Sequence, residues 1–175
     1  MTALDISPSD PAISLWLRAE AADLTKIWDI FADVPVQVGL IAERLGLEVI
    51  SLTLPTDISG LIRKKANGAF EIHVNNTDSA VRQRFTVCHE IAHYLLHRSL
   101  IDSEGITDNI LYRSKLTNRQ EAEANKLGAA ILLPWPRITE WHNERYGRGP
   151  HKENIEQIAS AFRASSLAVG FRLGI

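Results

Sequence analysis

The spacing of apolar positions divides the chain into stretches of helical period and stretches of strand period. Ser9-Asp10-Pro11 reads as a cap with proline in the first turn of a helix that continues to about Phe31, with Ile13, Leu17, Leu24, Ile27 and Ile30 as its apolar positions. Its other face is acidic. After Val34-Pro35, the positions Val38, Ile41, Ala42 and Leu45 recur one turn apart and predict a short amphipathic helix stopped by Gly46. The pattern then becomes extended. LEVISLTL, ISGLIRKK and AFEIHVN are strand candidates, the first followed by a turn at Pro55 and the last two joined by the hairpin signal Asn67-Gly68.

From Asp78 or Ser79 the period changes back, because Val81, Phe85, Cys88, Ala92 and Leu95 recur every three to four residues and predict a helix of about 20 residues. Residues 99–117 contain Gly105 and many polar groups without periodicity, which predicts a surface loop. Asn118 then caps a helix over RQEAEANKLGAAILL, ended by Pro134 and Pro136, and two or three shorter helices follow. The expected fold is α+β: a three-stranded antiparallel sheet packed with about five to seven helices. Residues 1–175 are expected to form a single domain, with an N-terminal helix in 1–34, a core in 35–136 and C-terminal helices in 137–175.

Composition narrows the class. A chain of 175 residues with 45% hydrophobic and 23% charged residues matches a soluble globular protein. Cys88 is the one cysteine, which excludes an internal disulfide and any thiolate-rich zinc site and favours a reducing compartment. The N-terminal stretch lacks the features of a signal peptide, and no apolar run reaches the roughly 18 to 20 residues of a membrane span. A cytoplasmic location without membrane contact is expected. The net charge of -2 supplies no broad field for nucleic acid. What stands out is the histidines, four of the six lying between His73 and His97.

Two of them form His89-Glu90-Ile91-Ala92-His93 on the predicted long helix. Residues four apart are only about 40° apart around a helix, so both imidazoles can reach one zinc ion. Glu90 lies beside that face, where it can serve as general base toward a water in the open coordination position. A catalytic zinc needs a third protein ligand, and Glu121-Ala122-Glu123-Ala124-Asn125 offers two. Glu121 and Asn125 share a face and suit a ligand plus a residue holding a histidine ring by its outer nitrogen, whereas Glu123 points about 200° away from Glu121. Spacing alone leaves the choice between Glu121 and Glu123 open. His97 continues the i+4 series but lies about 80° from His89, which suits a supporting residue rather than a fourth ligand.

Over roughly residues 35 to 136 the chain resembles the ImmA/IrrE family of zinc metallopeptidases. The resemblance rests on motifs in order: Ile58-Ser59-Gly60, Val74-Asn75, Arg82-Gln83-Arg84-Phe85-Thr86, His89-Glu90-Ile91-Ala92-His93-Tyr94-Leu95-Leu96-His97, Glu121-Ala122-Glu123-Ala124-Asn125 and Leu132-Leu133-Pro134. It implies a reduced metalloprotease core in which zinc is bound by His89, His93 and Glu121, with Glu90 as catalytic acid/base. Some members cleave helix-turn-helix repressors, often encoded beside them, in stress or mobile-element regulation; such a repressor is the partner the resemblance implies. The alternative is a non-proteolytic zinc-containing component of a toxin-antitoxin-like or repressor complex. Two positions depart from the family pattern, Gly128 in place of a bulky apolar residue and Cys88 in place of a common alanine, and both are expected to affect packing.

Other residues carry weaker signals. Arg82 and Arg84 suit a substrate carbonyl or a structural pairing, and Cys88 falls on the apolar stripe, which suits the core. Tyr112, Tyr146, His142 and Arg98 are candidates for stabilising an oxyanion. His73, His142 and His151 otherwise read as surface or satisfied residues. Residues 155–169 resemble a helix-turn-helix with Arg163 at the usual turn glycine. Direct DNA binding is nevertheless not expected, since Trp141 to Ile175 holds five basic and three acidic residues.

Overall fold

One four-stranded sheet organises the computed structural model, which describes residues 6–102, 106–109 and 116–174. Strands β1 (Leu47–Leu52), β2 (Ile58–Lys64), β3 (Phe70–Asn75) and β4 (Ile106–Asn109) lie in the order β1-β3-β2-β4. The sheet is mixed, which corrects the expected three antiparallel strands. Leu47 to Leu52 of β1 run parallel to Phe70 to Asn75 of β3, while β2 is antiparallel to both β3 and β4.

Turn chemistry accounts for the difference. The β2–β3 hairpin closes as Asn67-Gly68 predicts, with Gly68 at φ 85°, Gly68 N–H donating to Lys65 O and Lys65 N–H donating to Ala69 O. The connection after β1 is no hairpin; it crosses over and lets β3 insert between β1 and β2. Buried Asn75 fastens that crossover, its amide donating to the carbonyls of Leu54, Pro55 and Ile58. AFEIHVN is therefore an interior strand, and the outer strands among the described residues are β1 and β4. β4 falls within 99–117, expected as loop, because four residues are too few to display a period.

The described residues contain eight α-helices, against the expected five to seven. They are α1 (Ile13–Trp16), α2 (Ala21–Ile27), α3 (Val38–Arg44), α4 (Ala80–His97), α5 (Asn118–Leu132), α6 (Trp135–Tyr146), α7 (Ile155–Phe162) and α8 (Ser166–Leu173). The excess arises at the N-terminus, where the single expected helix is broken. A straight helix would hold residues 16 and 28 about 18 Å apart. Instead the Trp16 and Trp28 rings meet edge to face at 5.7 Å, with Phe31 completing the cluster at 5.6 and 5.4 Å. Asp10 secures the entry, accepting from Ala12 N–H and Trp16 Nε1 and pairing with buried Arg172 of α8 at 2.7 Å.

α4 positions the site. Ser79 caps it by accepting from Arg82 N–H. Thr86, Glu90 and Tyr94 face the sheet: the Tyr94 ring meets Phe70 at 5.2 Å, and a side-chain carbon on Gly60 would stand 2.4 Å from Thr86 Cγ2 and 3.7 Å from Glu90 Oε1. Cys88, Ile91 and Ala92 are fully buried in the core. His89, His93 and His97 face α5. That helix is capped by Thr117 rather than Asn118, in a capping box whose Gln120 side chain accepts from Thr117 N–H. No helix among the described residues is long and apolar enough to cross a membrane.

Candidate metal centre

α4 and α5 approach each other closely where Gly128 meets His89. A side-chain carbon at residue 128 would lie 3.0 Å from His89 Cα, 3.1 Å from its nitrogen and 3.2 Å from the Cys88 carbonyl carbon. Two turns earlier on α5, Glu121 reaches across to the same pair of rings. His89 Nε2 and His93 Nε2 stand 2.9 Å apart, and Glu121 Oε2 lies 3.5 and 3.7 Å from them. All three side chains offer a ligand atom within one group spanning no more than 4.8 Å.

These distances fit a metal. Ligand atoms about 2.0 to 2.1 Å from a tetrahedral zinc stand about 3.3 to 3.4 Å from one another, between the separations seen here. The protonation states fit as well. Burial pushes the His93 imidazole down to about 4, so it is neutral and keeps a lone pair. Burial acts to raise the Glu121 carboxyl, but hydrogen bonds from His89 and His93 outweigh it and hold the group well below the usual carboxylate range. Two imidazoles and a carboxylate make a nitrogen-and-oxygen donor set suited to zinc. Glu90, buried against the sheet, follows directly on His89.

Behind the ligands runs a chain of contacts. His93 Nδ1 lies 3.1 Å from His97 Nδ1, and His97 Nε2 lies 3.1 Å from Glu123 Oε2. Glu123 in turn binds Arg18 at 2.8 Å and Arg119 at 3.1 Å; the Arg18 guanidinium first, then His97 and Arg119, draw its carboxyl down to about 2 against the effect of burial. The outer nitrogen of His93 is therefore met by His97, not by Asn125, which lines a groove described below. Glu123, by spacing a rival ligand, points away from Glu121, and that direction lets it reach His97. Arg18 carries no signal of a role here in the sequence, because it acts from the N-terminal segment, and Gly128, read there as a packing departure, acts on the site by having no side chain.

The remaining candidates go elsewhere. Arg82 Nε donates to Ser59 Oγ and Asp78, and Arg84 donates to the carbonyls of Val36 and Arg163. Cys88 is fully buried, and burial pushes its thiol up to about 12. His73 meets Glu71 at 2.9 Å, His142 is buried between Arg148 O and Asn154 Oδ1, and His151 lies near Glu153. Tyr146 packs on His142, and Arg98 pairs with Asp23 and covers the Tyr94 ring. Tyr112 lies outside the described residues. Arg163 occupies the turn between α7 and α8 at φ 50°, the left-handed position where glycine is usual.

A family model described as the IrrE N-terminal-like domain, peptidase family M78, matches residues 42–174. No curated protein matches the chain. A solved structure of a Mycobacterium tuberculosis transcriptional regulator is similar in fold, with a TM-score of 0.53 at 15% identity, covering 99% of this chain. The chain spans about half the length of that structure, 47%.

Proposed function

Because the chain belongs to peptidase family M78, the ImmA/IrrE group of zinc metallopeptidases, we propose that it is a zinc-dependent endopeptidase whose substrate is a helix-turn-helix repressor encoded beside it. The observation that carries the peptidase reading is the convergence of His89 Nε2, His93 Nε2 and Glu121 Oε2, with Glu90 on the adjoining residue of the same helix. His89, His93 and Glu121 hold the ion. Bound zinc polarises a scissile carbonyl and acidifies a water molecule. Glu90 accepts the proton that the attacking water gives up as its oxygen bonds to the carbonyl carbon, and passes that proton to the amine nitrogen as the C–N bond breaks. His97 and Glu123 orient His93 so that its Nε2 faces His89 Nε2 and Glu121 Oε2, where the three would hold the ion. The repressor as substrate rests on the family resemblance, and a cytoplasmic site of action follows from such a substrate.

The test is incubation of the zinc-loaded protein with the product of the neighbouring repressor gene, beside Glu90→Gln. The wild type should cleave the repressor, and Glu90→Gln should retain zinc while losing activity by about a hundredfold or more. Stoichiometric zinc with equal persistence of the repressor in both samples would instead support the non-proteolytic partner role.

A further inference from the structure

A groove of about 650 Å³ opens between α4, α5 and α8. Its floor is Val81 and Phe85 of α4, the same i, i+4 stripe that continues into His89 and His93, and the Phe85 and His89 rings lie 6.4 Å apart. On α5 it is lined by Ala122, next to Glu121, and by Asn125 one turn on. Its inner end thus adjoins the candidate metal ligands. The outer wall is α8, which turns Leu167 and Phe171 to solvent at 85% and 54% exposure while burying Val169 and Arg172. Two large apolar side chains exposed one turn apart on an eight-residue helix do nothing for the core, and such a patch marks a contact surface.

The chemistry of α8 selects the occupant. Although α7 and α8 are joined as in a helix-turn-helix, the one basic residue of α8, Arg172, is buried and spent on Asp10 and the Leu133 carbonyl. Its exposed face carries no cation, and Arg82 of α4, which also lines the groove, is held by Ser59 and Asp78. An apolar polypeptide segment suits it, with the Asn125 amide beside the apolar wall able to hydrogen-bond a peptide backbone.

We infer that this groove receives a bulky apolar side chain of the polypeptide substrate beside the scissile bond, and so sets sequence preference. The inference rests on the peptidase reading above. Leu167, Phe171 and Ala122 are then specificity-determining residues, Ala122 by being small.

The experiment uses zinc-loaded full-length chain and a series of chelating probes: acetohydroxamate, and the hydroxamates of N-acetyl-alanine, N-acetyl-leucine and N-acetyl-phenylalanine. Affinities are measured by calorimetry, so that no turnover is needed. Each methylene buried contributes a factor of about four, so the leucine and phenylalanine compounds should bind at least about tenfold more tightly than the alanine compound. Leu167→Ser should reduce that ratio several-fold, and Ala122→Trp, which fills the groove, should bring it to about one. If acetohydroxamate binds but the wild-type ratio is near one, the groove assignment is overturned and the metal centre stands. If acetohydroxamate fails to bind, the metallopeptidase reading is overturned and the groove assignment falls with it.

Discussion

Gly128 lies against the backbone of His89, where a side-chain carbon would stand only 3.0 Å from His89 Cα and would require a shift of a few tenths of an ångström. That contact is what brings Glu121 of α5 within 3.5 Å of His89 Nε2. The residue looked like a departure from the family pattern with consequences for packing only, yet here packing sets the spacing of the candidate ligands. Gly128→Ala gains about 1 kcal/mol of helix propensity but overpacks a backbone contact at a cost of about 1 to 3 kcal/mol. The metal-free protein should therefore lose at most about 2 kcal/mol, while zinc affinity, measured by competition with a chelator, should fall at least tenfold. Unchanged zinc affinity would separate the helix contact from ligand placement.

His97 and Glu123 supply a second test. If they fix the orientation of His93, Glu123→Gln should weaken zinc binding by about 10- to 100-fold, a larger effect than the modest loss of stability that the metal-free chain suffers in thermal unfolding from the broken Arg18 pairing. Equal losses in both measurements would mean that the contact is structural alone.

Asp23 governs an acid-sensitive part of the fold. Burial raises its carboxyl, but the hydrogen bonds from Arg98 and Lys26 reverse this and leave it below the ordinary value. A carboxyl with a lowered folded-state pKa contributes stability that is present above the unfolded value near about 3.9 and is lost as pH falls through the folded value. Asp23→Asn should cost about 1.5 to 3 kcal/mol near neutral pH, and the difference from wild type should shrink as pH falls below the ordinary carboxylate value. Urea unfolding across that range measures it, and a difference independent of pH would contradict the pairing.

The elements that could be read from the sequence were those with local causes. The Ser79 cap and the three-to-four-residue period delimit α4, Asn67-Gly68 closes the β2–β3 hairpin, and Gly46 at φ 74° ends α3. What escaped depends on partners distant in the chain. The parallel pairing of β1 with β3 is set by a crossover that Asn75 ties down, and nothing local to β1 announces it. The N-terminal helix breaks because three aromatic rings reward folding back more than continuing straight. The same division runs through the candidate site. His89, Glu90 and His93 share one helical turn and stand out as a motif, while Glu121 and Glu123 could not be ranked by spacing. The family resemblance points to Glu121, and the approach of α5 to α4 shows the physical cause, turning the first toward His89 and His93 and the second toward His97.

The measurement that bears most directly on the metal centre is zinc stoichiometry by elemental analysis of the full-length chain purified with added zinc, beside His89→Ala, His93→Ala and Glu121→Ala. One zinc per wild-type chain, with a large loss in each of the three variants and none in Glu90→Gln, is the expected result. A wild-type chain that retains no zinc, or variants that retain it as fully as the wild type, would contradict it.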